Sequence, residues 1–236
     1  MVVWLFAGGG ESEIRALIPF LEKHFSPGIR FDRKTPVRKK PGAKPGKYLT
    51  ASHGKTGRSL AREIKNRLAQ SLSKESLCDL ILVLDDLDCR DSDKATLSLQ
   101  KPIFDCLGQH TPYCIGFASP EIEAWLISDW GNTFSVHPSF SGKRQKAMQY
   151  RLAQTDGVDF SKPESFGQYD PEKDSCDKKL SQCIVEASIN ISDKGDIVFS
   201  KARHTPEMLP GIDPENVCAK CPLFRSWWNR LKSILL

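Results

Sequence analysis

The sequence predicts an α/β protein with a mostly parallel sheet flanked by helices. Short, unbroken apolar runs, typical of buried strands, alternate with segments whose apolar residues recur at helical spacing. Glycines or acidic residues follow these runs, which marks the strand ends. Strands that alternate with helices in this way build parallel sheets. The chain has 236 residues, of which 39% are hydrophobic and 27% charged, so it is long enough to bury a core.

The first strand is predicted at 2–7 and leads through three glycines into a helix at 11–24, which carries Ile14, Leu17 and Leu21 on one face. The second helix, at 56–72, repeats this spacing with Leu60 and Ile64. Proline in the first turn supports a helix at 120–129. The remaining predicted elements are strands at 29–31, 80–84 and 113–117, a helix at 94–107, amphipathic segments at 143–153 and 178–187, and a terminal amphipathic helix.

The regular alternation ends near residue 131. We therefore predict an α/β core over 1–131 and a mainly helical, irregular C-terminal extension over 132–236. No run has the roughly 18 apolar residues of a membrane span, and the opening run is too short for a signal peptide, so a cytoplasmic protein without a membrane partner is expected. A net charge of +5 permits a nucleic-acid partner without demonstrating one.

Acidic residues follow three of the predicted strands. Because the carboxyl ends of parallel strands lie at one edge of a sheet, where open α/β sheets bind their ligands, these side chains are expected to converge. Carboxylate oxygens suit a hard cation such as Mg²⁺, which retains waters for a phosphate-bearing substrate. The alternative is that each residue only caps the following helix. The residues are Glu11 and Glu13 after the first strand, Asp85, Asp86 and Asp88 after 80–84, and Glu121 and Glu123 after 113–117.

Within the middle group, Asp86 and Asp88 are expected to face the same way, because alternate residues of an extended segment do. Asp85 would then point elsewhere. The triple glycine after the first strand is not a phosphate loop, since it lacks the Gly-Lys-Ser/Thr ending and the dinucleotide-binding spacing.

The segment ASPEIEAWL at 118–126 is the most specific motif of the chain. With the glycine-containing loop and the Asp-x-Asp, it resembles the TOPRIM-like family known as DUF4276, which is related to the nuclease domain of OLD-family proteins. The resemblance covers about residues 1–130. It implies a Rossmann-like TOPRIM core that binds Mg²⁺ or Mn²⁺ for phosphodiester hydrolysis, in relatives linked to defence systems.

Carried over by position, Asp86 and Asp88 match the metal-binding Asp-x-Asp, and Glu121 and Glu123 match the acidic helix start. The family often has a glutamate at the end of the first strand, where this chain has Ala7, which can neither bind a metal nor take a proton. Glu11 is the expected replacement, as metal ligand or general base, because three glycines precede it and glycine permits unusual backbone conformations. The alternative is a retained fold without the chemistry.

A basic segment between the first strand-helix unit and the second helix could contact a nucleic-acid backbone, with salt-dependent affinity and little sequence preference. A solvated loop is the alternative. The predicted nucleic-acid-binding residues are Arg33, Lys34, Arg38, Lys39, Lys40, Lys55 and Arg58.

Eight cysteines in a chain without a secretory signal are read as reduced thiols or metal ligands. Cys218 and Cys221 form a CxxC pair that, with Cys176 and Cys183, could make a tetrahedral Zn²⁺ site. An iron–sulfur cluster or four buried thiols are the alternatives. Cys89 is read as a packing residue.

The first functional hypothesis is a Mg²⁺-dependent nuclease in which Glu11, Asp86, Asp88, Glu121 and Glu123 form the catalytic site. The second is a non-catalytic module that binds nucleic acid or protein and holds a structural zinc. The third is an enzyme that acts on a small nucleotide. A partner protein or a homo-oligomer stays open.

Overall fold

The computed structural model describes residues 1–25, 27–36, 55–72, 78–108, 111–189 and 197–236. Four parallel strands form the central sheet in the order β2-β1-β3-β4. These strands are β1 (Val2–Ala7), β2 (Arg30–Thr35), β3 (Leu80–Asp86) and β4 (Tyr113–Ala118), and a small antiparallel pair is formed by β5 (Tyr169–Asp170) and β6 (Ser175–Cys176).

The α-helices of the described part lie on both faces of this sheet. They are α1 (Glu11–Phe25), α2 (Gly57–Leu72), α3 (Ser92–Leu107), α4 (Glu123–Ser128), α5 (Lys143–Gln154), α6 (Leu180–Ser188), α7 (Lys201–Met208), α8 (Pro214–Lys220) and α9 (Pro222–Leu235). None of the described helices has the length and apolar character needed to cross a membrane.

Each sheet face has its own apolar core, because alternate residues of a strand point to opposite sides. Trp4 and Val83 face α2 and α3, whereas Leu5 and Leu82 face α1 and the C-terminal helices. β3 lies between β1 and β4 and is buried along its whole length, which explains its continuous apolar sequence. The α/β class and the parallel sheet predicted from the sequence are confirmed.

The residues after position 131 contribute to the second of these cores. Trp227 and Trp228 of α9 pack there with Phe20 of α1, and Trp227 lies over Gly116 of β4, where a side chain would overlap the indole ring. The division of the chain at residue 131 stays a prediction, although helices from both sides of it share one apolar cluster.

Two predicted boundaries differ in a way that affects the site. β3 continues to Asp86, since Asp85 and Asp86 still pair with the end of β4, so these acids belong to the strand itself. α4 begins at Glu123 instead of 120, and just before it the backbone N–H of Ile122 donates to the Asp86 carboxylate.

Candidate functional site

Three carboxyl groups converge on one lysine at the carboxyl edge of β3 and β4. Lys201 Nζ lies 3.2 Å from Asp86 Oδ2, 3.2 Å from Glu121 Oε2 and 3.0 Å from Glu123 Oε2. We call these four residues the carboxylate–lysine cluster. The predicted convergence of the acids after β3 and β4 therefore holds for these three, and the ammonium at their centre is a residue that the motifs did not indicate.

Four chain segments build the cluster. Asp86 is the last residue of β3, Glu121 precedes α4, Glu123 begins α4, and Lys201 begins α7. Their convergence requires the C-terminal half to fold back onto the strand ends.

Hydrogen bonds from the C-terminal half fix the two glutamates. Glu121 accepts hydrogen bonds from the backbone N–H of Ser181 at 3.1 Å and from its hydroxyl at 2.8 Å. Glu123 Oε1 accepts one from the Thr205 hydroxyl at 2.8 Å. The carboxylates are thereby held in position by groups that carry no charge of their own.

Burial governs the protonation of the cluster. It raises the pKa of Asp86 and of Glu123, and the neighbouring carboxylates add to this rise while Lys201 opposes it. Burial also opposes ionisation of Glu121, but the Lys201 ammonium and the hydrogen bonds from Ser181 outweigh it and lower the pKa of that carboxyl. One ammonium thus faces three carboxyl groups, and burial favours the protonated form of two of them.

Asp88 does not continue the extended geometry of β3, although its charge still acts on Asp86 and Glu121. Its φ of 49° lies in the left-handed region, so the strand geometry ends after Asp86. The Asp88 carboxylate lies 3.5 Å from Arg90 Nη2, whereas that of Asp86 contacts Lys201. Arg90 also donates to the carbonyl oxygens of Leu87 at 2.8 Å and Asp86 at 2.7 Å, and so fixes the loop after β3.

Asp85 points to the opposite sheet face, as expected. Its Oδ2 accepts a hydrogen bond of 2.8 Å from the backbone N–H of Gly57, and its Oδ1 is buried without a hydrogen bond. Burial raises the pKa of Asp85 to about 7, against the opposing hydrogen bond from Gly57. A Cβ atom on Gly8 would overlap this carboxylate. Gly8 of the triple glycine therefore makes room for Asp85.

Glu11 begins α1, next to the buried Gly8 and Gly9, but its side chain and that of Glu13 lie outside the described part. Its predicted role in binding metal stays a prediction. Ala7, at the place where the resemblance expects a glutamate, is buried at the end of β1 and pairs with Leu84.

The predicted nucleic-acid-binding residues have different surroundings. Arg38, Lys39 and Lys40 lie outside the described residues. Lys34 sits 4.1 Å above the Trp4 ring, and Lys55 forms an ion pair of 2.7 Å with Glu63.

The other two of these residues also differ from each other. Arg33 donates to the carbonyl of Pro36. Arg58, in the first turn of α2, lines a cavity next to Arg90. Of the described members of the set, Arg58 is the one that combines exposure with a place in a cavity.

The four cysteines of the predicted zinc site are not all free in this structure, and the zinc site itself stays a prediction. Cys176 forms a disulfide with Cys89, so Cys89 is not a simple packing residue and these two cysteines are not reduced thiols. Cys183, Cys218 and Cys221 are free thiols, and burial raises the pKa of Cys221 to about 12, which disfavours the thiolate that binds metal. Among the described residues, no group of three or more His, Cys, Asp or Glu side chains is arranged to hold a metal ion.

The cysteine pairing could not be read from spacing. Cys89 and Cys176 are 87 positions apart, and only the folded chain brings their Cα atoms to 5.0 Å. No sequence pattern indicated Lys201 either, because it is one lysine in a polar stretch and its partners lie about 80 to 115 positions away.

The fold and the cluster define an α/β protein with a buried group of carboxylates at the carboxyl edge of its parallel sheet. A family described as "Domain of unknown function (DUF4276)" matches residues 10–232, and the chain belongs to that family. No curated protein and no solved structure matches the chain.

Proposed function

We propose that this protein is a Mg²⁺- or Mn²⁺-dependent nuclease whose metal-binding carboxylates are Asp86, Glu121 and Glu123. The observation that carries the proposal is their approach to within 3.0–3.2 Å of a single nitrogen at the sheet edge. Open α/β sheets bind ligands at this edge. Buried carboxylates are costly unless they are paired or coordinate a metal, and here a single ammonium is shared among three of them.

The oxygen atoms of this donor set are the kind that a hard divalent cation prefers, but the three side chains are not arranged to hold a metal ion while Lys201 lies among them. Glu123 Oε2 is buried and faces the Lys201 ammonium at 3.0 Å, without a well-aligned hydrogen bond. The Lys201 ammonium now lies where such a cation would be held, so metal binding requires this side chain to move aside. It can do so towards solvent, because the Lys201 side chain is 27% exposed while that of Glu123 is fully buried.

A bound divalent cation supplies charge stabilisation at the scissile phosphate and a more acidic water. Asp86, Glu121 and Glu123 would hold it, and Ser181 and Thr205 orient the two glutamates through hydrogen bonds.

Two further acids remain in the proposal. Asp88 lies outside the four-residue cluster and is assigned a supporting electrostatic role, since its charge acts on Asp86 and Glu121. Glu11 is the proposed replacement for the glutamate that is absent at Ala7. The displaced Lys201 ammonium is suited to contact a phosphate oxygen, because it is a mobile point charge on a long side chain.

A cleavage assay tests this proposal. The purified full chain is incubated with labelled single- and double-stranded DNA and RNA in Mg²⁺, Mn²⁺ or EDTA. Cleavage is expected only with metal, and Asp86→Asn or Glu123→Gln should reduce it by at least about 100-fold, since even supporting residues of metal sites contribute 10- to 100-fold. Asp32→Asn is the matched control, because Asp32 pairs with Arg30 on the surface of β2. Absence of metal-dependent cleavage, or cleavage that survives Asp86→Asn, contradicts the proposal.

A non-catalytic nucleic-acid-binding module is the second candidate. It is favoured by Ala7 at the expected glutamate position and by Lys201, which completes the cluster without a metal. Salt-dependent binding of nucleic acid without turnover in any metal supports this candidate over the first.

We place the protein in the cytoplasm as a further part of the proposal. Six of its eight cysteines are free thiols, which favours a reducing compartment, whereas the Cys89–Cys176 disulfide argues against one. Fractionation of cells that express the tagged full chain tests this, and recovery outside the cytosolic fraction contradicts it.

A further inference from the structure

A second feature lies on the other side of the loop that follows β3. A cavity of about 620 Å³ is bordered by the first turns of α2 and α3 and by the β5–β6 hairpin. Asp86 faces the carboxylate–lysine cluster, whereas Cys89 and Arg90, a few residues later, line this cavity. The loop is therefore the wall between the two, and the cavity lies close to the proposed metal-binding carboxylates.

Two cationic side chains of the cavity wall are exposed and have no ion-pair partner within the described chain. They are Arg58 and Lys94. Arg90 is fixed by the carbonyl oxygens of the loop, and its charge is shared with Asp85 at 3.6 Å and Asp88 at 3.5 Å.

The two acids of the wall are already engaged. Asp91 accepts a hydrogen bond of 2.8 Å from the backbone N–H of Lys94, and Asp174 accepts one of 2.8 Å from the Tyr169 hydroxyl. Arg58 and Lys94 are thus the exposed cations of the wall that have no ion pair within the described chain, and they favour an anionic ligand.

The N-terminus of α2 does not add to this charge, because the backbone N–H of Gly57 already donates to the Asp85 carboxylate. One further observation agrees with a nucleotide unit as the ligand. The Tyr169 ring is 46% exposed at the cavity edge and could stack on a base.

We propose that this cavity binds a phosphate group of a nucleotide unit, with Arg58 and Lys94 contacting its oxygens and Tyr169 beside the attached base. The inference rests on the proposed nuclease function, for which it names the contact that holds the substrate. Arg58 contributes a planar fork of donors, and Lys94 a point charge from the neighbouring helix. Their positions on two helices would fix the phosphate with respect to the loop that carries Asp86.

Fluorescence anisotropy of a labelled single-stranded DNA oligonucleotide, titrated with the full chain in EDTA, tests this site without metal. Arg58→Gln combined with Lys94→Gln should weaken binding by about 10-fold or more and reduce the slope of log affinity against log salt by about one to two. The matched control is Arg62→Gln combined with Lys65→Gln, which removes the same charge from exposed positions of α2 outside the cavity.

Equal binding by these two double variants overturns the inference, whatever the cleavage assay shows. Loss of binding in the cavity variant alone supports it even if the wild type cleaves nothing, so failure of the nuclease proposal is recognised separately. Competition by inorganic phosphate or a mononucleotide would identify a single phosphate group as the bound unit. Competition by an unlabelled strand alone would assign the cavity to the polymer backbone, and either outcome supports an anion site at Arg58 and Lys94.

Discussion

Replacing Lys201 with methionine is the most direct test of the carboxylate–lysine cluster. The substitution keeps much of the side-chain volume and removes the cation that lies 3.0–3.2 Å from Asp86, Glu121 and Glu123. Removing one partner of a buried ion pair costs about 3–5 kcal/mol, because the remaining charge stays desolvated. At about 2–4 °C per kcal/mol for a chain of this size, the melting temperature should fall by about 6–20 °C.

The loss of stability in Lys201→Met should depend on pH in a defined direction. Burial raises the pKa of Asp86 and Glu123 in the folded state, so folding takes up protons there and stability is lost as pH rises through the raised pKa values. Without the ammonium these carboxyls are still harder to ionise. The difference between variant and wild type should therefore widen as pH rises from about 5 to about 8 and narrow in acid, where the carboxyls are protonated.

Thermal unfolding in EDTA, followed by circular dichroism, measures this difference. Lys55→Met is the control, because Lys55 pairs with Glu63 at 2.7 Å but its side chain is 50% exposed, and such surface pairs contribute less than about 1 kcal/mol. If Lys201→Met unfolds at the same temperature as Lys55→Met across this pH range, the cluster is not the buried charge centre described here. Added Mg²⁺ should restore part of the lost stability of Lys201→Met, since the vacated carboxylates would then bind the cation.

Three further outcomes are expected. Gly8→Ala should destabilise the protein by about 1–3 kcal/mol in urea unfolding, because its Cβ overlaps the Asp85 carboxylate, while Gly131→Ala, with open space around it, should change little. The raised pKa of Asp85, about 7 against 3.8 unfolded, should make wild-type stability fall as pH rises through neutrality, and Asp85→Asn should flatten that dependence. Reduction of the Cys89–Cys176 disulfide, which closes a loop of 87 positions, should lower the free energy of unfolding by up to about 4–5 kcal/mol. The same reducing agent should leave the stability of the double serine variant unchanged, and calorimetry measures both.

The strands and helices were largely predictable because buried positions are apolar, and the spacing of apolar residues is visible within a short stretch of sequence. β3 reads as a continuous apolar run since both of its faces are covered, and α2 places Leu60 and Ile64 at helical spacing since one face packs on the sheet. The prediction failed where the backbone leaves regular geometry. Asp88 was expected to face the same way as Asp86, but its left-handed φ turns it towards Arg90.

The sequence by itself determined the parallel α/β core and placed Asp86, Glu121 and Glu123 at one edge of its sheet, because the apolar runs, their alternation with helices and the acids after them are local features of the chain. Only the tertiary structure decided what faces these acids. Lys201 and the partner of Cys89 come from the C-terminal half, and contacts over some 80 to 115 positions leave no periodic trace in a single chain. The same long-range packing that forms a disulfide also brings one ammonium among three buried carboxyls.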